Sequence, residues 1–292
     1  PQDEKFSSSS SYVQMIELVT SYHTMDTGGI IDVKFLLQFM DICTCAAAEK
    51  HTGVNCVTVS MGDVVFEYLP KCGDMLEFTA RPVYVGRTSL DIDLLVIVDL
   101  GDGESRRIVC NASFTYVTTK GPNGEKRLCP PLSSSDNMDW LKTVAKYRRE
   151  LIKAEKKSSF PFSDQNCYDK DSSFLLKDNK KNKGKEGKAT QKFDLIMTEL
   201  ILPAHQNHMD HTFGGIIMGW MAKAALATAA RKSKHRVGSL FVYGILRVDF
   251  QCGSGVSDHI IFSSRLNAIS DDGVIAEIEV QAMNRSIDTK QE

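Results

Sequence analysis

No stretch of this 292-residue chain approaches the roughly 20 consecutive apolar residues of a membrane-spanning helix, so a spanning segment is not expected. Charge of one sign is also missing: 35 Lys and Arg stand against 37 Asp and Glu, and this balance argues against a general nucleic-acid binder. The eight cysteines form no CxxC pair and no regular framework, and several sit in apolar runs. They read as free thiols of a reducing compartment. The opening residues, Pro1 to Phe6 and five serines, resemble neither a secretory signal nor an Arg-rich transit peptide. A cytoplasmic location is the expectation, with mitochondria the alternative should a targeting segment have been removed. His205, His208 and His211 recur every three residues but lack a Cys or acidic residue to complete a ligand set, so no metal is expected there.

What is present is an internal duplication. A strand, a polar loop, a helix and several strands run from Tyr12 to Thr118, and the same order returns from Phe193 to Ala282. Asp74, Phe78 and Arg81 recur 184 residues later as Asp258, Phe262 and Arg265, whereas the helices fit an offset of 181. The alternation Leu76/Phe78/Ala80 against Glu77/Thr79/Arg81 marks a half-buried antiparallel strand. Single strands are expected over 56–69 and 239–251, and Asp102-Gly103 fits a hairpin turn. The second copy has no counterpart of the strand at 107–118, leaving its sheet one strand short. We divide the chain at 10–130 (first unit), 131–190 (a helix over 134–156, then a flexible charged linker) and 191–292 (second unit). The chain is thus an α+β protein of two similar units.

The stretch from His205 to Met221 draws the chemistry together. A polar loop containing Asn207 leads through Gly214-Gly215 into an apolar helix. Backbone N–H groups at such a helix start can hold a developing negative charge. A Gly pair at the same place also serves close packing, and both readings stand.

Asn207-His208-x3-Thr212-Phe213-Gly214-Gly215-x2-Met218-x-Trp220-Met221 resembles the C-terminal loop and helix of the hotdog-fold acyl-CoA thioesterases, of the eukaryotic double-hotdog type. Ala47-x-Glu49-Lys50-His51-x-Gly53, with Cys56-Val57-Thr58-x-Ser60-Met61, is similar to that family's N-terminal unit. The likeness covers about 12–118 and 193–284 and does not extend to a lipid-binding START domain. It implies a tandem hotdog, acyl-CoA as substrate, no cofactor beyond the CoA of the substrate, and a trimer of double hotdogs. It also implies a site that pairs an Asn from one unit's loop with an acidic residue from the other unit's helix. By position the loop residues are Asp26 and Asn207, and the helix residues are Asp41 and Ala222. Crossed between units, Asn207 with Asp41 is complete, while Asp26 with Ala222 is degenerate. Gly214 and Gly215 correspond to Val33 and Lys34, which points to the same single site.

In this reading Asp41 is general base or nucleophile, Asn207 positions water or carbonyl, and the amides at Gly214 and Gly215 receive the oxyanion. Arg87, Thr88 and Ser89 at a strand turn resemble a CoA-contacting segment of bacterial relatives, and an Arg beside hydroxyls suits phosphate. Two alternatives stand beside hydrolysis. One is an acyl-thioester hydratase or dehydratase, which would need a catalytic His, and the other is a non-catalytic acyl-CoA or nucleotide sensor.

Overall fold

The computed structural model describes residues 11–25, 29–100, 105–132, 139–158, 193–233, 235–270 and 276–285. In the first unit, α1 (Val33–Thr52) begins where Asp32 accepts a hydrogen bond from the Lys34 amide and stops at Gly53, at φ 67°. Both ends follow from residue chemistry: a carboxylate caps free N–H groups, and glycine adopts the left-handed turn. The helix buries Leu36, Leu37, Met40, Cys43 and Ala47. Around it curves an antiparallel sheet in the order β1 (Val13–Leu18), β4 (Met75–Val85), β5 (Ser89–Asp99), β6 (Arg106–Thr118) and β2 (Cys56–Met61). Alternate residues of these strands, among them Leu76, Phe78, Ile92, Phe114 and Tyr116, close the core against α1.

The second unit repeats the plan. Its helix α3 (Gly214–Ser233) packs on a sheet of β7 (Leu195–Leu200), β10 (His259–Ile269) and β11 (Ala276–Arg285). These match β1, β4 and β5; no counterpart of β6 is found among the described residues. Each unit is a hotdog, a helix wrapped by an antiparallel sheet, and the chain is a tandem α+β pair. No helix among the described residues is long and apolar enough to cross a membrane.

Two expected strands are broken, for one reason. After β2 the chain turns at Gly62, where a Cβ would lie 2.7 Å from the Ser113 hydroxyl, and resumes as β3 (Val64–Val65). Its partner is β8 (Gly244–Ile245) of the second unit, while β9 (Val248–Asp249) pairs with β2. The registers are reciprocal: Ser60 faces Asp249 and Val65 faces Gly244, Met61 faces Val248 and Val64 faces Ile245. Each residue is matched by the one 184 positions later, so the units join about a pseudo-two-fold axis by exchanging short strands.

The helices cross at this axis. On Gly215 a Cβ would lie 2.7 Å from the Gln38 Cα, and on Gly219 one would lie 2.8 Å from the Lys34 Cβ. Only glycine permits that approach, so the packing role of the Gly pair is real. Met218 and Ala222 of α3 enter the core of the first unit, and Ala224 packs with Ile260 and Phe262 of its own sheet. The helix between the copies, α2 (Asp139–Ser158), lies on the outer face of the first sheet, where Arg149 clamps Asp91 through two hydrogen bonds and Arg148 reaches Asp93. The turn at Asp102-Gly103 and the charged linker fall outside the described residues.

Candidate active site

Asp41 sits mid-helix on α1, 1% exposed, against the N-terminus of α3. Its Oδ2 accepts the Gly215 N–H at 2.9 Å, and its Oδ1 accepts the Thr58 hydroxyl at 2.9 Å and the Tyr116 phenol at 3.0 Å. Thr58 and Tyr116 face each other across β2 and β6, which puts both hydroxyls on the inner side of the sheet. The Tyr116 phenol is also 2.8 Å from the Thr44 hydroxyl. Burial pushes the Asp41 carboxyl above its ordinary range, opposed by the bonds from Gly215, Thr58, Tyr116 and Gly214. Burial, and then the Asp41 charge, pushes Tyr116 well up, so the phenol stays a donor.

Asn207 comes from the loop ahead of α3. Its Oδ1 accepts the amides of Met209, at 2.9 Å, and His211, at 3.1 Å, across a turn closed by Asp210 at φ 59°. With the oxygen so occupied, the amide NH2 is the group Asn207 can offer elsewhere. Asp41 and Asn207 line one cavity of about 400 Å³, together with Thr58, Phe213, Gly214 and Phe250. The cavity lies between the two units: its floor is α1 and β2, and its wall is the loop and helix of the second unit. His208 ties that loop down through a 3.0 Å contact with Glu49 near the end of α1.

The arrangement differs from the sequence reading in three ways. The first concerns Gly215: its amide is given to the Asp41 carboxylate, and Gly214 leans on the same group, so these amides hold the acid rather than facing the cavity as a vacant oxyanion site. The second concerns Asp26, which lies outside the described residues and is not the counterpart of Asn207. The Asn207 amide bonds to His211 O next to a Gln206–Thr212 bridge, and in the first unit Met25 bonds to Ile30 O next to a Thr24–Ile31 bridge. Met25 therefore holds the equivalent place, and the first loop is one residue longer, which a gapless offset could not reveal. The third concerns the turn at Arg87, Thr88 and Ser89, which does not line the cavity. Arg87 is exposed, and the Ser89 hydroxyl accepts from Arg149 of α2. Ser89 is, however, the register partner of Val117, which does line it, so the turn lies one strand away.

Ala222 is buried in the first core, and the place related to the cavity by pseudo-symmetry is shut. Only about 10 Å³ remains there, enclosed by apolar groups that include Met25, Val33, Leu36, Leu226 and Phe241. Two polar members of the site, Thr58 and Tyr116, were not singled out from sequence. Thr58 stands inside the Cys56–Met61 motif, while Tyr116 reads only as one more inward residue of an alternating strand. The histidines are engaged separately: His205 packs edge-on against Trp220, His208 meets Glu49, and His211 lines the cavity.

A tandem hotdog with a buried Asp and a loop Asn at the joint between its units defines the class. Residues 35–101, within the first unit, match the model of the thioesterase superfamily. The chain is 30% identical over 280 residues to the acetyl-coenzyme A thioesterase of Mus musculus, covering 93% of this chain and 47% of that protein. It is 27% identical over 281 residues to acyl-coenzyme A thioesterase 11 of Mus musculus, covering 95% and 45%. The chain spans about half the length of the curated relatives it matches. A solved hexameric acyl-CoA thioesterase matches with a TM-score of 0.49 and 23% identity, over 52% of this chain and 97% of that one.

Proposed function

We propose that this chain hydrolyses acyl-CoA to a free acid and CoA at a single site between its two hotdog units, with no cofactor. The observation that carries the reading is the convergence of Asp41 and Asn207, from different units, on one cavity while the related place is filled. The names of the curated relatives agree with it.

In this mechanism the thioester carbonyl lies beside the Asn207 NH2, which donates to the oxygen as negative charge grows there. Asp41 acts as general base. Both of its oxygens already accept hydrogen bonds, which lowers their reactivity as nucleophiles but leaves lone pairs for a water proton. Water loses a proton to Asp41 as its oxygen bonds the carbonyl carbon; the tetrahedral intermediate then expels the CoA thiolate, which takes the proton back. A thiolate of ordinary basicity, near pKa 8.5, needs no strong acid to leave. Arg87, in a turn one strand from the cavity, is the residue we expect to meet the phosphates of such a CoA, and Arg87→Ala should raise KM. A trimer of double hotdogs is the assembly we expect, measurable by light scattering.

The test is thiol release from a series of acyl-CoA esters. Asp41→Asn is expected to lower kcat about 10²- to 10⁴-fold, and Asn207→Ala about 10²- to 10³-fold. Water addition to an enoyl thioester without thiol release would replace this reading with a hydratase, and binding without turnover would replace it with a sensor.

A further inference from the structure

The filled counterpart reveals what keeps the working cavity open. At matched positions the closed place carries Leu226 where the open one has Cys45, and Phe241 where it has Val57. Val33 and Leu69 also stand in the closed place where the open one has Gly214 and Gly253, whereas Leu36 against Ile217 and Phe66 against Phe250 are of similar bulk. Cys45 lies one turn beyond Asp41 on α1, on the same face of the helix, and is half-buried in the cavity wall. An acyl chain whose carbonyl is held at Asp41 and Asn207 shares the cavity with the apolar side chains of Val57, Val117 and Ile217 beside Cys45.

We propose that Cys45, seconded by Val57, sets the acyl-chain length this site accepts, by the room its small side chain leaves one turn past the catalytic carboxylate. The inference rests on the thioesterase reading. Burial raises the Cys45 thiol, so it stays neutral and acts through size. An apolar pocket discriminates by methylenes, each worth about 10-fold or more where the fit is tight. Leucine at position 45 reproduces the packing already tolerated at Leu226, and alanine there adds room.

The experiment measures kcat/KM from acetyl- to dodecanoyl-CoA for the wild type, Cys45→Leu and Cys45→Ala, with folding checked by thermal melting. Cys45→Leu is expected to cut the ratio of long- to short-chain kcat/KM at least about 10-fold. Cys45→Ala should move the optimum towards longer chains. Equal loss at every chain length, or an unchanged ratio in Cys45→Ala should the leucine variant fail to fold, overturns the assignment. A wild type that cleaves no acyl-CoA overturns the thioesterase reading itself, a result distinct from an active enzyme with unmoved selectivity.

Discussion

Asp41 is a buried acid kept usable by its donors. Tyr116 gives one of the hydrogen bonds that favour the ionised form, against a burial that disfavours it. Tyr116→Phe keeps the ring and its packing against Phe114 but removes that bond. The acidic limb of the pH–kcat profile should therefore move to higher pH, and a limb that stays in place would make the phenol merely structural. Stability carries the same signature. A carboxyl raised in the folded state supports folding while protonated; that support is full below the ordinary value of 3.8 and is lost as pH rises through the raised value. An amide avoids the loss, since its NH2 can donate to the Thr58 and Tyr116 hydroxyls while its oxygen keeps the Gly215 bond. Melting curves should then show Asp41→Asn above the wild type near pH 8, with the gap closing towards pH 4.

At the scale of elements, the crossing of α1 and α3 joins packing to chemistry. Gly215 sits too close to Gln38 for any side chain, and the same approach brings its N–H to Asp41. Gly215→Ala must part the helices, so a loss of about 1–3 kcal/mol is expected from overpacking, read by urea unfolding. Activity should fall further than stability explains, because parting the helices stretches the bond from the residue 215 N–H to the carboxylate. The strand plan was legible in the alternation of Leu76, Phe78 and Ala80, and α1 and α3 in their apolar spacing and flanking loops. The breaks at Gly62 and across 239–251 were not, because the partners of those short strands lie in the other unit and leave no local signal.

For the molecule as a whole, the duplication makes two related places between the units, one an open cavity and the other filled by apolar side chains. Placing Asn at Met25 and Asp at Ala222 would restore the polar pair on paper, but the enclosing Val33, Leu226 and Phe241 leave no room for a thioester. Introduced together into the Asn207→Ala background, these changes should restore no thiol release. Recovered turnover would show that the second place opens in solution.

The sequence by itself determined the duplication and the repeated order of strands and helix, because periodic burial and repeat offsets are properties of the chain read in order, while the pairing of Asp41 with Asn207 followed from the resemblance its motifs carry. The tertiary structure alone decided that Gly215 gives its amide to Asp41, that Thr58 and Tyr116 complete the carboxylate's shell, and that Met25 stands in place of Asn207. Those facts depend on how closely two helices approach and on where a loop gains one residue. Both are set by three-dimensional packing across units, which no spacing along the chain encodes.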